Sequence, residues 1–235
     1  MNSTKFQELQ QHIDREKPSI IAICEVKPKN SAKERSTEDY EIPDYVLHPI
    51  NLQNNEPGRG VAVYVHNSIS KSVTQVHMDS KFDEACLLEI KLRKGDTWAF
   101  ACCYRSPTLT SASERNNESL NQLFKKIYAS NYSHRCILGD FNYKDINWNS
   151  LTTAHGPESK ESKFVETVKD CFFHQHIDKP TRRRGNDEPS QLDLIFTDEE
   201  MQVTDIRHLA PLSKSDHSVI MLDFCCYIFK APRYF

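Results

Sequence analysis

Two polar side chains, Asp140 and Asn142, follow a short apolar segment in the middle of the chain. The segment from Cys136 to Leu138 predicts a buried strand that stops at a glycine. Because residues two apart on a strand share a face, we expect Asp140 and Asn142 to point the same way, with Phe141 in the core. The carboxylate can then take a proton from water, and the carboxamide can orient that water or its target. Asp and Asn at strand ends also form ordinary turns, so the segment alone is only weak evidence for catalysis.

A second polar cluster, Ser215-Asp216-His217, directly precedes an alternating apolar run that predicts a strand. Asp216 offers a hard oxygen ligand for Mg²⁺, and His217 can meet a phosphate oxygen or relay a proton. The same three residues also fit a simple surface turn.

Another carboxylate, Asp193, lies inside an apolar run, where an unpaired charge would be expensive to bury. We expect His217 to be its partner, because an Asp–His pair fixes the tautomer and orientation of the imidazole.

Two further predicted strands run into polar or ionisable groups. Residues 19–24 lead into Glu25, and residues 98–103 lead into Tyr104 and Arg105. The chain therefore has five predicted strands that each carry such a group at or near one end. This is the layout of an active site at one edge of a sheet sandwich.

Five short segments carry a resemblance to a known superfamily. They are Ile21-Ala22-Ile23-Cys24-Glu25, Tyr104-Arg105-Ser106-Pro107, Gly139-Asp140-Phe141-Asn142, Leu192-Asp193-Leu194-Ile195-Phe196-Thr197 and Ser215-Asp216-His217. Their order and spacing resemble the endonuclease/exonuclease/phosphatase superfamily over residues 4 to about 225. Three longer segments are similar to the apurinic-like endonuclease of non-LTR retrotransposons, in particular the chicken-repeat type: Gly139 to Trp148, Lys179 to Arg183 and Leu212 to His217.

The resemblance implies a fold class and a metal cofactor. The fold would be α/β, a four-layer α-β-β-α sandwich of the DNase I type. The cofactor would be Mg²⁺, with Mn²⁺ as an alternative, and its ligands would be Glu25 and Asp216. Phosphodiester cleavage needs a cation on the non-bridging oxygens and an activated water, which agrees with this assignment.

The resemblance also implies catalytic roles. Asp140 would orient or deprotonate the attacking water, with Asn142 beside it. Tyr104 would stabilise charge in the transition state. His217, held by Asp193, would donate a hydrogen bond to the scissile phosphate.

The N-terminus departs from the superfamily pattern. In the superfamily, a strand that carries a metal-binding Asn precedes the first helix. Here Phe6, Leu9 and Ile13 already predict that helix, and Asn2 lies too close to it to be the missing ligand. We therefore expect the first strand to be lacking, which would leave an open sheet edge and remove one metal ligand.

Composition predicts one globular domain at residues 1–229 and a short tail at 230–235. The chain has 235 residues, of which 38% are hydrophobic, and only 6 glycines. Its net charge is −3, so any contact with DNA must come from local patches. Arg182, Arg183 and Arg184 form the densest positive run and, with Arg105, are the candidate DNA-binding side chains. The arginine run equally fits a solvated surface loop.

The eight cysteines show no C-x-x-C spacing, and most lie in apolar runs. This pattern is typical of free thiols in a reduced, intracellular protein of the nucleus or cytoplasm rather than a secreted one. The sequence contains no apolar run long enough for a membrane span and no charged-apolar-small leader at Met1.

Together these features predict a Mg²⁺-dependent endonuclease that nicks target DNA for reverse transcription. A reverse transcriptase domain is the expected partner in the family, and this sequence does not contain one. Two alternatives remain open. One is a catalytically impaired remnant, which the expected loss of the first strand favours. The other is a phosphatase of the same superfamily, which would use the same residues on another substrate.

Overall fold

The computed structural model describes residues 3–27, 37–52, 58–78, 80–107 and 111–226. Asn2 and the predicted tail at 230–235 lie outside these ranges. Within them the helices are α1 (Ser3–Glu16), α2 (Ser111–Ala129) and α3 (Lys160–Asp170). The strands are β1 (Ile20–Cys24), β2 (Tyr45–Ile50), β3 (Val61–His66), β4 (Val73–Val76), β5 (Ala85–Lys91), β6 (Thr97–Tyr104), β7 (His134–Asp140), β8 (Ile146–Asn147), β9 (Thr152–Thr153), β10 (His174–Gln175), β11 (Asp193–Thr197), β12 (Val203–Leu209) and β13 (Val219–Phe224).

The larger of the two facing layers is a six-stranded sheet in the order β10-β11-β7-β6-β5-β4. Its central pair, β6 and β7, is parallel, and its other pairs are antiparallel. The facing layer consists of a three-stranded sheet, β1-β3-β2, and the hairpin-like pair β12-β13. The strands β8 and β9 form a separate small ribbon after β7.

Three apolar cores hold these layers together. One core, which includes Phe124 of α2 and Phe164 of α3, lies between the two helices and the six-stranded sheet. A second lies between the sheets and includes Val63 and Trp98. The third packs Leu9 of α1 against the outer face of the three-stranded sheet. Helix, sheet, sheet and helices are therefore stacked in the predicted α-β-β-α order.

The first helix begins where its apolar spacing predicted, and β1 follows it directly. Within the described residues β1 pairs only with β3, and β13 pairs only with β12. Each of these strands therefore has one side without a ladder partner in this part of the chain. Both are rich in apolar residues, yet their side chains are mostly only half-buried. An edge of this kind is open to pairing with a further strand.

All eight cysteines are free thiols, as their spacing predicted. Five of them belong to the two cores that flank the six-stranded sheet as buried residues. Among the described helices, none combines the length and the hydropathy that a bilayer crossing requires.

Candidate active site

Three neighbouring strands of the six-stranded sheet place polar side chains in one row. Asp140 ends β7, and its direct partners are Tyr104 at the end of β6 and Asp193 at the start of β11. Residues paired across a sheet point to the same face, and along one strand every second residue points to that face as well. Because Cys102 and Ile195 lie in the core between the sheets, the row also faces the second sheet. The sequence predicted these strand ends separately, and the register brings them together.

A glycine allows β7 to run against β6 just before the row. Gly139 has φ +143°, which side-chain-bearing residues rarely adopt. A Cβ atom built there would lie 1.8 Å from the carbonyl oxygen of Cys103. Gly139 therefore sets the position of Asp140 through backbone approach as well as through conformation.

The facing layer contributes Glu25, from its three-stranded sheet, and His217, from the β12-β13 pair, to the same place. Glu25 follows β1 with φ +51°, and its Oε1 accepts a hydrogen bond of 2.6 Å from the hydroxyl of Tyr104. His217 precedes β13, and its Nδ1 lies 2.8 Å from Oδ2 of Asp193. Each contact links the two sheets, so the site lies between them at their open end.

The environment of Asp140 favours its neutral form. The residue is 5% exposed, and this burial raises the pKa of its carboxyl. The carboxylates of Asp193 and Glu25 raise that pKa further, while His217 and a hydrogen bond from Asn142 act in the opposite direction. Oδ1 of Asp140 is buried and has no hydrogen-bond partner among the described residues. A buried oxygen of this kind is suited to a cation or to the proton of a bound water.

The environment of His217 favours its charged form. Burial alone would lower the pKa of the imidazole, but the hydrogen bond and charge of Asp193 outweigh it. Asp140 and Asp216 add to this effect, and the pKa of His217 rises to about 9. The imidazole is therefore protonated at neutral pH and can donate a hydrogen bond. Tyr104 is the opposite case, since burial and Glu25 raise the pKa of its phenol and keep it neutral.

Asn142 lies beyond the end of β7. Phe141 is fully buried in the core under α2 and α3, as predicted, and Asn142 then turns with φ +53°. Its side-chain amide donates a hydrogen bond of 2.9 Å to the carbonyl oxygen of Arg105. The two-residue spacing predicted that Asp140 and Asn142 lie on one regular strand. The structure instead places Asn142 beyond the end of that strand, where it still interacts with Asp140.

The structure does not support Arg105 as a DNA-binding residue. Its side chain is 2% exposed and lies over the ring of Tyr143, with 3.9 Å from Cζ to the ring centre. Its Nη1 donates to the carbonyl oxygens of Phe141 and Asn142 at 3.0 and 3.1 Å, and its Nε donates to Asn117 at 2.6 Å. A guanidinium held in this way cannot reach a phosphate, and it shapes the turn after β7 instead.

The three arginines of the positive run differ from one another. Arg182 is half-buried, and its Nε donates a hydrogen bond of 3.0 Å to Oδ2 of Asp216. The backbone amide of Arg183 donates to the carbonyl oxygen of Asp216 at 2.8 Å, which fixes the loop beside the site. The side chains of Arg183 and Arg184 are exposed. Two of the three arginines are therefore exposed, in a loop whose backbone is tied to Asp216.

One set of donor atoms in this site has the spacing of a metal centre. Ligand atoms of Asp140, Asp193 and His217 lie within 4.8 Å of one another. Glu25 and Asp216, the predicted metal ligands, are not members of this or any similar cluster within the described ranges. They flank the row on its two sides, since Glu25 acts on Asp140 and Asp216 acts on His217.

Sequence reasoning missed the residue that connects these segments, Thr181. It is 1% exposed, and its hydroxyl oxygen accepts hydrogen bonds from the backbone amides of Leu192 and Asp193 at 3.1 and 3.0 Å. Its carbonyl oxygen accepts from the amide of Ser218 at 2.8 Å. Thr181 therefore fixes the start of β11 relative to the residue that follows His217. The only sequence signal for it was its place in the retroelement-like segment from Lys179 to Arg183.

Comparisons with known proteins agree with this geometry. A family model described as endonuclease-reverse transcriptase matches residues 98–221, which is more than half of the chain. No curated protein matches the sequence significantly.

Solved structures share the fold at low sequence identity. The AP endonuclease LMAP from Leishmania major has a TM-score of 0.70 and 14% identity, covering 94% of this chain and 84% of that one. The endonuclease domain of TRAS1, a telomere-specific non-LTR retrotransposon, has a TM-score of 0.66 and 16% identity, covering 95% of this chain and 93% of that one. The 3′ phosphatase NExo from Neisseria, bound to a product DNA hairpin, has a TM-score of 0.64 and 14% identity, covering 94% of this chain and 95% of that one.

Proposed function

The chain belongs to the endonuclease/exonuclease/phosphatase superfamily, in the family described as endonuclease-reverse transcriptase, and from this premise we propose that it is a metal-dependent endonuclease that nicks DNA. The nick would serve reverse transcription, as the resemblance to retrotransposon endonucleases implies. The observation that carries the proposal is the row of Tyr104, Asp140 and Asp193 with the His217–Asp193 contact of 2.8 Å.

The residues present suit a divalent cation. The charges of Asp140, Asp193 and Asp216 act on the His217 imidazole, and Glu25 acts on Asp140. Oδ1 of Asp140 has no hydrogen-bond partner in the described part of the chain. This excess of hard oxygen donors matches Mg²⁺ or Mn²⁺. We propose that Glu25 and Asp216, which flank the row on its two sides, would hold the ion. Their ligand atoms do not form a cluster in the structure, so both side chains would have to move toward the ion. When bound, the ion supplies positive charge to the phosphate oxygens.

The remaining residues can divide the proton chemistry between them. Asp140, whose pKa is raised by burial and by its acidic neighbours, is a stronger base than an ordinary carboxylate once it is ionised, and the positive charge of a bound cation would favour that ionised form. Asn142 lies beside it and can hold that water. His217 is cationic at neutral pH, so it offers a charged donor to the scissile phosphate, while Asp193 fixes its orientation.

Tyr104 contributes a neutral donor. Because its pKa is raised, the phenol keeps its proton at physiological pH. Its hydroxyl donates to Glu25 at 2.6 Å in the absence of substrate and lies next to Asp140 in the row. It can therefore orient Glu25 or, when substrate enters, stabilise developing negative charge.

The arginine loop gives an acidic protein a local contact for a polyanion. Arg183, whose backbone amide donates to the carbonyl oxygen of Asp216, and the next residue, Arg184, both have exposed side chains. Their guanidinium groups can bind phosphates on either side of the scissile bond. Arg182 would act differently, because its ion pair with Asp216 makes it part of the support for the site.

A nicking assay on supercoiled plasmid tests the proposal. Wild-type protein should relax the plasmid with Mg²⁺ or Mn²⁺ and not with EDTA. Asp140→Ala and His217→Ala should each lose about a hundredfold or more of the rate, as single positioned groups commonly do. Asp178→Ala, which removes an exposed carboxylate outside the site, should retain it. Nicking that persists in Asp140→Ala refutes the assigned roles.

The same proteins separate the two alternatives. A phosphatase would release phosphate from a 3′-phosphorylated oligonucleotide faster than it nicks plasmid, and the release would again depend on Asp140. An impaired remnant would bind DNA without cleaving either substrate. An added N-terminal strand that carries an Asn should pair with the open side of β1 and raise both stability and Mg²⁺ affinity.

A further inference from the structure

A second group of ligand-type side chains lies after the catalytic strand, away from the row at Asp140. It consists of Asp145, His155 and Glu161, whose ligand atoms all lie within 4.8 Å of one another. None of the three has a role in the proposed nicking reaction. The fold nevertheless brings two carboxylates and an imidazole together there.

Local structure explains how they meet. Asp145 directly precedes β8, and the β8-β9 ribbon pairs Ile146 with Thr153, so the chain returns with His155 beside Asp145. The turn after His155 is tied to the start of α3, because the Ser162 hydroxyl donates to the carbonyl oxygen of Gly156 at 2.9 Å. Glu161 lies in the first turn of that helix. Ribbon and helix together hold the three donors in place before any ligand arrives.

Glu161 is the most informative of the three. The residue is only 6% exposed, and its carboxylate accepts no hydrogen bond from the residues that the structure describes, although its oxygens keep some contact with solvent. Its one ion pair, with Nζ of Lys160, is 3.7 Å long, beyond hydrogen-bond distance. The positive end of α3 favours a carboxylate at this position but does not provide it with a partner. A buried carboxylate in this situation calls for a cation.

The spacing of the other two donors fits a shared metal ion better than a hydrogen bond. Nε2 of His155 lies 3.3 Å from Oδ2 of Asp145, which is longer than an ordinary N–H···O bond. Two atoms that each lie 2.0–2.1 Å from one tetrahedral zinc ion are about 3.3 Å apart. The side chains of Asp145 and His155 are about half exposed, so a metal ion and its remaining water ligand have access.

We propose that Asp145, His155 and Glu161 form a second divalent-metal site that ties the loop after Asn142 to the first turn of α3. One imidazole and two carboxylates select Zn²⁺ or Mn²⁺ over Mg²⁺, which prefers all-oxygen surroundings. The site is structural and goes beyond the proposed nicking activity, since it shares no residue with the cluster of Asp140, Asp193 and His217. Its ion would hold Asp145 close to Tyr143, the residue over which Arg105 lies.

Metal titration of the full chain tests this site. Metal-free protein, prepared with EDTA and dialysed, is titrated with Zn²⁺ alone and with Mn²⁺ alone by isothermal calorimetry, and its melting temperature is recorded with and without each ion. Asp145→Asn and His155→Ala should each weaken Zn²⁺ binding at this site about tenfold or more and abolish its share of the thermal stabilisation. Lys160→Met should tighten Zn²⁺ binding, because it removes the competing cation beside Glu161.

Two comparisons make the result decisive. His217→Ala in the candidate active site should leave Zn²⁺ binding at Asp145, His155 and Glu161 unchanged. The titration of this variant therefore distinguishes Zn²⁺ bound at this site from Zn²⁺ bound in the candidate active site. Asp145→Asn alters an exposed side chain, so its folding is secure even if a Glu161 variant unfolds. Zn²⁺ and Mn²⁺ affinities that are the same in wild type, Asp145→Asn and His155→Ala would overturn the proposal, and Glu161 would then be held by the helix end alone.

Discussion

The His217–Asp193 contact should make the stability of the protein depend on pH in a defined window. His217 has a folded-state pKa of about 9, against 6.5 for an unperturbed histidine, because the nearby carboxylates outweigh the effect of burial. A group whose pKa is raised on folding stabilises the protein fully below its unfolded pKa, and this contribution is lost as the pH rises through the folded pKa. The window therefore runs from about pH 6.5 to about pH 9.

The size of the effect follows from the same pKa values. The difference of about 2.5 between them corresponds to about 3 kcal/mol at 1.36 kcal/mol per pKa unit. Both side chains are mostly buried, 27% exposed for His217 and 22% for Asp193, so solvent screening is limited. We expect His217→Gln to be less stable than wild type at pH 6 by about this amount and to approach it by pH 10.

Urea denaturation of metal-free protein at several pH values measures this difference. Comparing wild type with His217→Gln at each pH cancels the contributions of other titrating groups. NMR of the His217 ring protons gives the pKa directly. Asp193→Asn should lower that pKa to its ordinary value or below, because burial then acts without the main opposing charge. Asp187→Asn, which changes an exposed loop carboxylate, is the matched control and should leave it unchanged.

Two results would refute the reasoning. One is an imidazole that titrates near pH 6.5 in the metal-free wild type. The other is a stability difference between wild type and His217→Gln that stays constant from pH 6 to pH 10. Either result would mean that Asp193 does not stabilise the imidazolium, and His217 would then lose its role as a charged donor at neutral pH.

Three further predictions concern residues around the site. Thr181→Val should lower the free energy of unfolding by about 2–4 kcal/mol, since it leaves two buried amides at the start of the Asp193 strand without an acceptor, whereas Thr181→Ser should retain most of it. Gly139→Ala should unfold or severely destabilise the protein in thermal melts, because its Cβ would lie 1.8 Å from a backbone oxygen. Arg183→Ala together with Arg184→Ala should flatten the dependence of log DNA affinity on log salt by roughly 0.9 for each phosphate that the protein no longer binds, and an unchanged slope would make the loop a solvated surface.

Local patterns of apolar residues in the sequence predicted much of the secondary structure. The periodicity of Phe6, Leu9 and Ile13 predicted α1, and the apolar runs predicted the strands that carry Asp140, Asp193 and His217. Burial forces such patterns, because an apolar stripe or alternation must face a core. The four-layer order came from the resemblance rather than from periodicity, and the stacking of α1, the two sheets, α2 and α3 agrees with it.

For the candidate site, the sequence predicted the residue types but not which residues come together. The types of the reacting groups and their places at strand ends follow from sequence, since a short polar segment after an apolar run can only lie near a strand terminus. The sequence does not predict which of these groups lie next to one another in the folded protein. The register of β6, β7 and β11 sets Tyr104, Asp140 and Asp193 side by side, and register depends on pairings between residues far apart in the chain.

Charge was the property that sequence predicted least well. Arg105, Arg182 and Arg183 are the same residue type, yet their surroundings differ. Arg105 is buried over the ring of Tyr143, Arg182 pairs with Asp216, and Arg183 is exposed. Local sequence fixes the presence of a charge and not its surroundings. Whether an arginine binds a ligand or braces the backbone depends on the carbonyls, carboxylates and rings that tertiary packing brings within about 3 Å of it. Residue types and their spacing therefore specify the chemistry available to this protein, and the packing of the sheets selects the residues that carry it out.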